Sequence, residues 1–264
     1  MGENEKKTDY GNWVPDKMMR KMWGAAGVIF LLWIINWIFL RSTIFAIIFG
    51  FFFLFMLAVS IYMQRCKAIF SFEKGGLMGE IHEYLVNRLP YNGDGTLLDI
   101  GCGAGALTIR CAKRFPEARL QGVDYWGKEW NYAKEQCESN AAAEGVSDRV
   151  LFEEGDAANL KYPSESFDAA VSNFVFHEVK TQPDKRLVVK EALRVVKKGG
   201  AFAFQDLFGM EALYGDMEAF VEELKAGGIQ EIHYIADIER LGFVPKFVQA
   251  PWMLKGIGII YGIK

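Results

Sequence analysis

A glycine-rich segment that follows an apolar run is the part of this sequence best suited to hold a ligand. The run LLDI contains one acidic residue, Asp99, and leads directly into GCGAG. Because glycine lacks a Cβ, Gly101, Gly103 and Gly105 let the backbone turn tightly and let a ligand approach it closely. We expect a buried strand, a tight turn and the start of a helix, with a nucleotide-like ligand over the carboxyl end of the sheet.

The spacing and charge of this segment restrict the ligand further. The dinucleotide fingerprint is G-x-G-x-x-G, whereas the third glycine here comes one residue early. Asp99 lies just ahead of the loop, where its charge would repel a pyrophosphate. A cationic ligand that carries an amino-acid group suits this carboxylate better. The loop has no Walker lysine, which argues against a nucleoside triphosphate.

The stretch LLDIGCGAG resembles the first signature of class I S-adenosylmethionine-dependent methyltransferases, and the resemblance continues over roughly residues 70–264. LQGVDYW matches the family's second strand, which implies that Asp124 holds the ribose hydroxyls. LFEEGDAANL matches the third, which implies that Asp156, with Ala157 beside it, lies near the adenine. FDAAVSNFVFHEV and LRVVKKGGAFAFQDLF match the later signatures. The resemblance implies S-adenosylmethionine as the methyl donor, S-adenosylhomocysteine as the product, and Asp99 at the methionine end.

Other roles for these residues stay open. Aspartates at strand ends also cap turns and helices, although three in this order match three parts of the donor. Tyr125, which we favour over the neighbouring Trp126, could stack on the adenine; the alternative is that one of the two covers the edge of the sheet. Asn173 could meet the donor through its backbone or its amide. Cys102 is expected to offer its backbone rather than its sulfur, because small residues are interchangeable at this point in the family.

His177 and Glu178 are the candidates for acid–base chemistry. They follow the fourth predicted strand, which in this family faces the reactive methyl group. His177, with an ordinary pKa of about 6.5, could remove a proton from the acceptor, and Glu178 could orient or replace it. Packing of His177 on the following helix is the alternative. His82 and His233 share no metal-ligand spacing with it, so no metal site is expected.

Strand-like and helix-like runs alternate from about Gly95 onward, which predicts an α/β fold. We expect a doubly wound, mostly parallel seven-stranded sheet of the Rossmann-like methyltransferase type, preceded by two transmembrane helices. The predicted strands are residues 96–100, 120–123, 150–152, 167–172, 201–205, 246–249 and 258–261. The predicted helices of the domain are residues 106–115, 128–144, 183–197, 215–226 and 235–241.

Two uncharged stretches, residues 23–40 and 44–63, stand ahead of that domain. At ~1.5 Å per residue, each is about long enough to cross a hydrocarbon core of ~30 Å, so we predict a transmembrane helical hairpin. A secretory signal fits poorly, because a polar leader precedes two long segments. An interfacial hairpin and a buried core hairpin remain as alternatives. Basic residues flank the outer ends more than the turn, which predicts a cell-membrane protein with both termini and the catalytic domain in the cytoplasm.

These features divide the chain into four predicted parts. They are a cytoplasmic N-terminal segment (1–22), the hairpin (23–63), a connector or lid (64–92) and the methyltransferase domain (93–264). In this family, residues ahead of the first strand often close over the donor. The candidate lid residues are Phe70, Phe72, Lys74, Gly75, Gly76 and Met78.

Composition limits the partners. A net charge of −3 gives no field that would attract nucleic acid. The four cysteines lack C-x-x-C spacing and fit reduced thiols.

A domain held at the bilayer suits a lipid or a hydrophobic small molecule as the acceptor, methylated on oxygen, nitrogen or sulfur. Small residues such as Gly24 and Gly27 could allow homo-oligomers through the hairpin. The alternative function is a membrane-anchored module that binds the donor without turnover.

Overall fold

The structure is a computed structural model that describes residues 8–71, 76–127, 134–250 and 252–264. These residues fall into two compact units. One unit, the helical unit, consists of residues 11–78; the other, the sheet unit, contains residues 79–264 together with residues 8–10.

The helical unit is a hairpin of two long helices. Helix α1 (Asp16–Ile35) continues as a π-helix over Asn36–Leu40. Arg41 then adopts a φ of 48° and donates its N–H to the Asn36 carbonyl, which ends the first helix. Helix α2 (Thr43–Phe70) follows, and it extends beyond the predicted second span.

Aromatic residues join the two helices of the hairpin. Trp33 Nε1 donates to the Ala46 carbonyl at 2.9 Å, and the rings of Phe30 and Phe53 lie 4.9 Å apart. The other faces carry exposed apolar side chains, among them Leu31, Ile38, Phe39, Ile44, Ile47, Phe51 and Leu54. By length and composition, both helices could cross a membrane.

The sheet unit is built on seven strands in the order β3-β2-β1-β4-β5-β7-β6. The strands are β1 (Thr96–Ile100), β2 (Arg119–Asp124), β3 (Val150–Glu154), β4 (Phe167–Asn173), β5 (Val196–Asp206), β6 (Glu231–Ile235) and β7 (Gly258–Ile263). The pairs from β3 to β5 are parallel, whereas β7 runs antiparallel to both β5 and β6. The predicted doubly wound, mostly parallel seven-stranded sheet is confirmed.

Helices connect the strands and cover the sheet. They are α3 (Leu77–Val86), α4 (Ala106–Arg114), α5 (Lys134–Ala143), α6 (Lys185–Val195), α7 (Glu211–Tyr214) and α8 (Met217–Ala226). Residues 128–133 of the predicted helix 128–144 lie outside the described residues. Apolar side chains of α6 and α8 form one buried cluster with Phe202 and Phe204 of β5. This cluster fixes the central strands, whose carboxyl ends position the residues described below.

The sixth strand differs from the sequence-based expectation. The prediction of a strand over residues 246–249 is wrong, because Lys246–Val248 forms a 3₁₀-helix and β6 is Glu231–Ile235. Ile235, which was expected to begin a helix, pairs with Ile259 of β7. Short apolar runs have no decisive period of their own, so pairing with a strand distant in sequence selects the segment that joins the sheet.

Candidate functional site

The predicted site residues lie near the carboxyl ends of the central strands, at the point where the strand order of the sheet reverses. β1 and β4 are neighbours at the centre of the sheet, and the chain leaves them toward opposite edges. In doubly wound sheets, a crevice opens at such a point outside the carboxyl ends of the strands, and ligands bind there. The glycine loop follows β1, and the segment that contains His177 follows β4.

The glycine loop is fastened to the end of β2. The N–H groups of Gly101 and Cys102 both donate to the Val123 carbonyl, at 2.7 and 3.1 Å. Gly101 and Gly105 have φ values of 75° and 82°, which L-residues with a side chain rarely adopt. Helix α4 begins directly after this turn, as the glycine pattern predicts.

Gly101 also lies against the segment that follows β4. A Cβ at this position would overlap both methyl groups of Val175. The absence of a side chain therefore lets the loops after β1 and β4 meet. Because His177 follows Val175 by two residues, this contact places the segment that contains His177 beside the glycine loop.

Asp99 lies underneath this loop rather than on its surface. It is 1% exposed, and its Oδ2 accepts a hydrogen bond from Thr108 Oγ1 of α4 at 2.6 Å. Burial raises the pKa of Asp99 to about 7, against the lowering effect of the Thr108 hydrogen bond. The carboxyl group thus ties β1 to the first turns of α4. Its contact with the methionine end of a donor stays a prediction.

Asp124 holds the loop from the adjacent strand. Its Oδ2 accepts the N–H of Gly103 and its Oδ1 the N–H of Trp126, both at 2.8 Å. Burial raises the pKa of Asp124, and these backbone donors offset part of the effect. Tyr125 is 68% exposed, whereas Trp126 donates its Nε1–H to the Gly103 carbonyl at 2.9 Å. Trp126, rather than Tyr125, is therefore the aromatic residue that is hydrogen-bonded to the loop.

Asp156 continues this edge at the end of β3. Gly155 donates its N–H to the Asp124 carbonyl at 2.9 Å, so the two strand ends are joined. Asp156 Oδ1 accepts the Ala158 N–H at 2.9 Å, and Ala157 lies half-buried between them. Asp156 therefore caps its own turn in this structure, and its role at the adenine stays a prediction.

Asn173 ends β4 beside the loop. Its Oδ1 is buried and, among the described residues, has no hydrogen-bond partner. The preceding Ser172 donates its Oγ–H to the Ile100 carbonyl at 2.8 Å, and Phe174 donates its N–H to the Gln205 carbonyl at 2.8 Å. A buried acceptor without a donor is costly, so Asn173 is suited to receive a hydrogen bond from a ligand.

His177 is held by a buried carboxylate, Asp206, at the end of β5. The His177 Nδ1 and Asp206 Oδ1 atoms lie 2.7 Å apart. The Asp206 carboxylate also accepts the N–H groups of Phe176 at 2.8 Å and Leu207 at 2.6 Å. Its side chain is 0% exposed. The Nδ1 atom of the imidazole is therefore fixed by Asp206, and the other ring nitrogen, Nε2, lies 3.3 Å from Glu178 Oε1.

The surroundings of His177 favour its protonated form. Burial lowers the pKa, but the hydrogen bond and charge of Asp206 and the charge of Glu178 together raise it above its ordinary value. The buried Lys185 opposes this rise. Glu178 is less fixed than Asp206: its Oε1 lies 3.3 Å from Nε2, and its side chain is 44% exposed.

Asp206 was missed by the sequence analysis, although a signal for it exists. It is an acidic residue at the end of a strand, in FAFQDLF, as Asp99 and Asp124 are in their own strands. Its relation to His177 could not be seen because β4 and β5 become neighbours only in the sheet.

The remaining candidates lie elsewhere. His82 is buried in α3, and burial lowers its pKa to about 3. His233 is on β6 beside Glu231, away from the loop. In the described part of the chain, no group of three or more His, Cys, Asp or Glu residues could hold a metal ion.

The lid candidates fall in two groups. Phe70 is buried in the helical unit, and Gly76 and Met78 precede or begin α3. Phe72, Lys74 and Gly75 lie outside the described residues. The lid therefore stays a prediction.

Residues 98–204 match the family model described as a methyltransferase domain. This part of the chain is similar to the methyltransferase domains of that family. The matched residues include the glycine loop, Asp124, Asp156, Asn173 and His177. They end two residues before Asp206.

Curated relatives of the methyltransferase domain act on different molecules, to judge from their names. 27-O-demethylrifamycin SV methyltransferase from Amycolatopsis mediterranei is 33% identical over 144 residues, which make up 54% of this chain and 50% of that protein. A sterol 24-C-methyltransferase from Aspergillus fumigatus is 31% identical over 136 residues, or 51% of this chain and 34% of that protein. The chain thus spans between about a third and a half of the length of these relatives.

Solved structures share the fold. A geranyl diphosphate methyltransferase in complex with SAM (S-adenosylmethionine) has a TM-score of 0.53 at 16% identity, covering 74% of this chain and 93% of that one. The [4+2]-cyclase SpnF has a TM-score of 0.51 at 24% identity, covering 64% and 65%. Because these two proteins differ in activity, fold similarity alone does not identify the reaction.

Methyltransferases of this family use S-adenosylmethionine, and the residues present fit it. Gly101, which has no Cβ, lets the glycine loop pack against Val175 of the segment after β4. Asn173 Oδ1 is an unsatisfied acceptor, and Asp124 and Asp156 lie on joined strand ends. These residues therefore place carboxylate and amide acceptors beside a glycine-rich turn, as binding of S-adenosylmethionine requires.

The overlap at Gly101 leads to a test. Gly101→Ala should weaken binding of S-adenosylhomocysteine at least about tenfold, because the new methyl group displaces Val175 and the positive φ strains the loop. Isothermal calorimetry on the full-length protein measures this change. Gly199→Ala is a matched control, since Gly199 also has a φ of 75° but a Cβ there would meet nothing within 4 Å. Val175→Ala combined with Gly101→Ala should restore part of the affinity; equal affinity of the wild type and Gly101→Ala would contradict the assignment.

Proposed function

We propose that this protein transfers a methyl group from S-adenosylmethionine to a hydroxyl group of a lipid or hydrophobic small molecule at a membrane. The observation that carries this proposal is the His177–Asp206 pair, 2.7 Å apart, on the segments that border the glycine loop. The methyltransferase domain supports the reaction class, and the pair supports an acceptor that must lose a proton.

The proposed donor site uses the residues around the glycine loop. The backbone of Gly101, Cys102, Gly103 and Gly105 would line one side, and Asp99 would support it from below through α4. Asp124, Tyr125 and Asp156 with Ala157 would hold the nucleoside, and Asn173 would receive a hydrogen bond at the end of β4. When bound, S-adenosylmethionine supplies a methyl group on a sulfonium, which is already activated for displacement.

His177 would act as the base toward the acceptor. A carboxylate only accepts hydrogen bonds, so Asp206 assigns the proton of the neutral imidazole to Nδ1 and leaves Nε2 as the acceptor. Nε2 would then take the proton of the hydroxyl group. The resulting imidazolium is stabilised by Asp206 on one side and by Glu178, 3.3 Å from Nε2, on the other.

The helical unit supports membrane integration. The segments Asp16–Leu40 and Thr43–Phe70 contain 25 and 28 residues, and at ~1.5 Å per residue both exceed a hydrocarbon core of ~30 Å. A core helix of a soluble protein would be mostly buried, whereas Phe39, Ile44 and Leu54 are 75%, 71% and 64% exposed. The bilayer is the partner that suits such a surface. With basic residues concentrated at the outer ends, both termini and the sheet unit would be cytoplasmic.

The acceptor class follows from this placement. A protein held in the bilayer encounters molecules that partition there at a raised effective concentration. The relative named as a sterol 24-C-methyltransferase is consistent with an apolar acceptor. The base at His177 favours oxygen as the methylated atom, because hydroxyl groups need deprotonation to be good nucleophiles.

The pKa of His177 provides the first test of this proposal. In the wild type it should lie above about 6.5, and Asp206→Asn should lower it, because burial remains while the stabilising charge is lost. The transfer rate should fall as the pH drops through this pKa, and the acid limb should move to lower pH in Asp206→Asn. Ring-proton NMR can measure the titration, since the chain has only three histidines, and His82 and His233 are internal controls. An unchanged pKa in Asp206→Asn would contradict the role of the pair.

The same shift has a defined effect on stability. Because the pKa of His177 is higher in the folded than in the unfolded protein, the pair stabilises the fold below the unfolded-state pKa of about 6.5. This contribution is lost as the pH rises through the folded-state value.

The acceptor class can be tested with labelled methyl donor. The full-length protein, incubated with methyl-labelled S-adenosylmethionine and a total membrane extract, should place the label in products that enter the organic phase. His177→Gln should retain donor binding and lose most of this labelling, because it removes the base without adding a charge. Label confined to water-soluble products would overturn the membrane-partitioning acceptor, and donor binding without any labelled product would favour the non-catalytic module.

Membrane integration can be tested with a charge on the exposed face of α2. Leu54→Lys places a lysine on the apolar span at a cost of about 2.5–3.5 kcal/mol at a helix centre, and should lower the fraction retained in membranes after alkaline carbonate extraction. Leu187→Lys is the matched control, because Leu187 is an exposed leucine of α6 in the sheet unit. Complete extraction of the wild type by carbonate would contradict the hairpin.

A further inference from the structure

Residues 8–10 precede the hairpin in sequence but pack on α5 of the sheet unit. Asp9 donates its N–H to Asn140 Oδ1, and Asn140 Nδ2 donates to the Asp9 carbonyl, both at 2.8 Å. Gln136 Nε2 donates to the same carbonyl at 2.6 Å. The asparagine amide therefore pairs with one peptide residue in both directions, as a neighbouring strand would.

Asn140 makes a third hydrogen bond to the glycine loop. Its Nδ2 also donates to the Ala104 carbonyl at 2.9 Å, and the residue is 2% exposed. Both amide protons and the amide oxygen are thus used. An aspartate would keep the acceptor but lose both donors, so the site is specific for an amide.

Helix α5 holds the loop at a second point. Cys137, three residues before Asn140 and on the same face of the helix, places its Sγ 3.0 Å from the Gly103 carbonyl. Two consecutive carbonyls of the loop, those of Gly103 and Ala104, are therefore fixed by one helix. Because Asn140 contacts Asp9 and Ala104 together, the position of this helix face and the N-terminal segment are coupled.

Tyr10 adds a contact at the far end of α5. Its hydroxyl group donates to Glu144 Oε1 at 3.1 Å, and Glu144 is also paired with Lys113 of α4. Burial, together with the charge of Glu144, raises the pKa of Tyr10, so the phenol stays a proton donor at neutral pH. The segment is consequently held along α5 rather than at one point.

We propose that Asn140 is a positioning residue through which residues 8–10 hold the glycine loop in its donor-binding shape. The inference rests on the proposed function, because it assigns the loop to S-adenosylmethionine. Donor affinity would then depend on a segment that the hairpin separates from the rest of the sheet unit in sequence. The chain passes directly from this segment into the helical unit, which begins at Gly11.

Two substitutions at position 9 separate the backbone contact from the side chain. Asp9→Pro removes the N–H that donates to Asn140 Oδ1 and leaves Asn140 and the loop unchanged in sequence. Asp9→Ala keeps that N–H and serves as the matched control. We expect Asp9→Pro to weaken S-adenosylhomocysteine binding several-fold relative to Asp9→Ala, measured by calorimetry on the full-length protein in lipid nanodiscs.

Substitutions of Asn140 test the other end of the link. Asn140→Asp should weaken binding about tenfold or more, because the carbonyls of Asp9 and Ala104 lose Asn140 as a donor and face a carboxylate, while Gln136 still donates to Asp9. Asn12→Ala is the control for a lost asparagine contact elsewhere, since Asn12 Nδ2 donates to the Lys67 carbonyl in the helical unit. It should leave the affinity unchanged.

A second measurement distinguishes positioning from general destabilisation. Amide hydrogen exchange should increase in residues 101–105 of Asp9→Pro and stay unchanged in β4 and β5. In turnover assays, Asp9→Pro should raise the KM for the donor while kcat at saturating donor is retained. A uniform rise in exchange, or an equal loss of kcat, would overturn the inference.

The outcomes also separate this inference from the proposed function. If the wild type does not bind S-adenosylhomocysteine, the proposed function fails and the inference fails with it. If the wild type binds and Asp9→Pro and Asn140→Asp bind equally well, only the inference is overturned.

Discussion

The Val123 carbonyl at the end of β2 accepts two N–H groups of the glycine loop, and the candidate donor site is arranged around this junction. Gly101 and Cys102 can donate to one oxygen because the loop turns back immediately, with a positive φ at Gly101. The next residue, Asp124, accepts the Gly103 N–H and so extends the junction by one peptide. The ends of β1 and β2 and the start of α4 are thereby held as one rigid edge.

The carboxylates of this edge have different physical roles. Asp99 is buried beneath α4, and its pKa of about 7 reflects the cost of a charge removed from water. Asp124 is held by backbone donors, which favour its charged form. Asp206 is buried beside a titratable partner, His177, and its negative charge stabilises the imidazolium that forms when His177 takes up a proton. These three aspartates all lie near strand ends, and their different surroundings give them different roles.

The two units distribute their apolar side chains differently. The sheet unit buries its apolar side chains between strands and helices, whereas the hairpin presents them outward and keeps its polar contacts inside. Asn36, 1% exposed, donates to the Ser42 carbonyl at 3.0 Å and so satisfies part of the turn between the helices. This distribution is the one expected where hydrocarbon replaces water around the outer surface.

Local patterns in the chain were sufficient to predict the glycine loop, the acids at strand ends, most strands and the two apolar helices. The spacing of glycines, the pattern of apolar and polar residues and the length of an uncharged stretch are all properties of neighbouring residues. They therefore predict local structure without knowledge of the fold. The partners of Asp206 and Asn140, the use of Trp126 rather than Tyr125 in the loop, and the choice of β6 depended on the tertiary structure. Each of these requires atoms from segments distant in sequence, and only the order of strands in the sheet brings such segments within hydrogen-bonding distance.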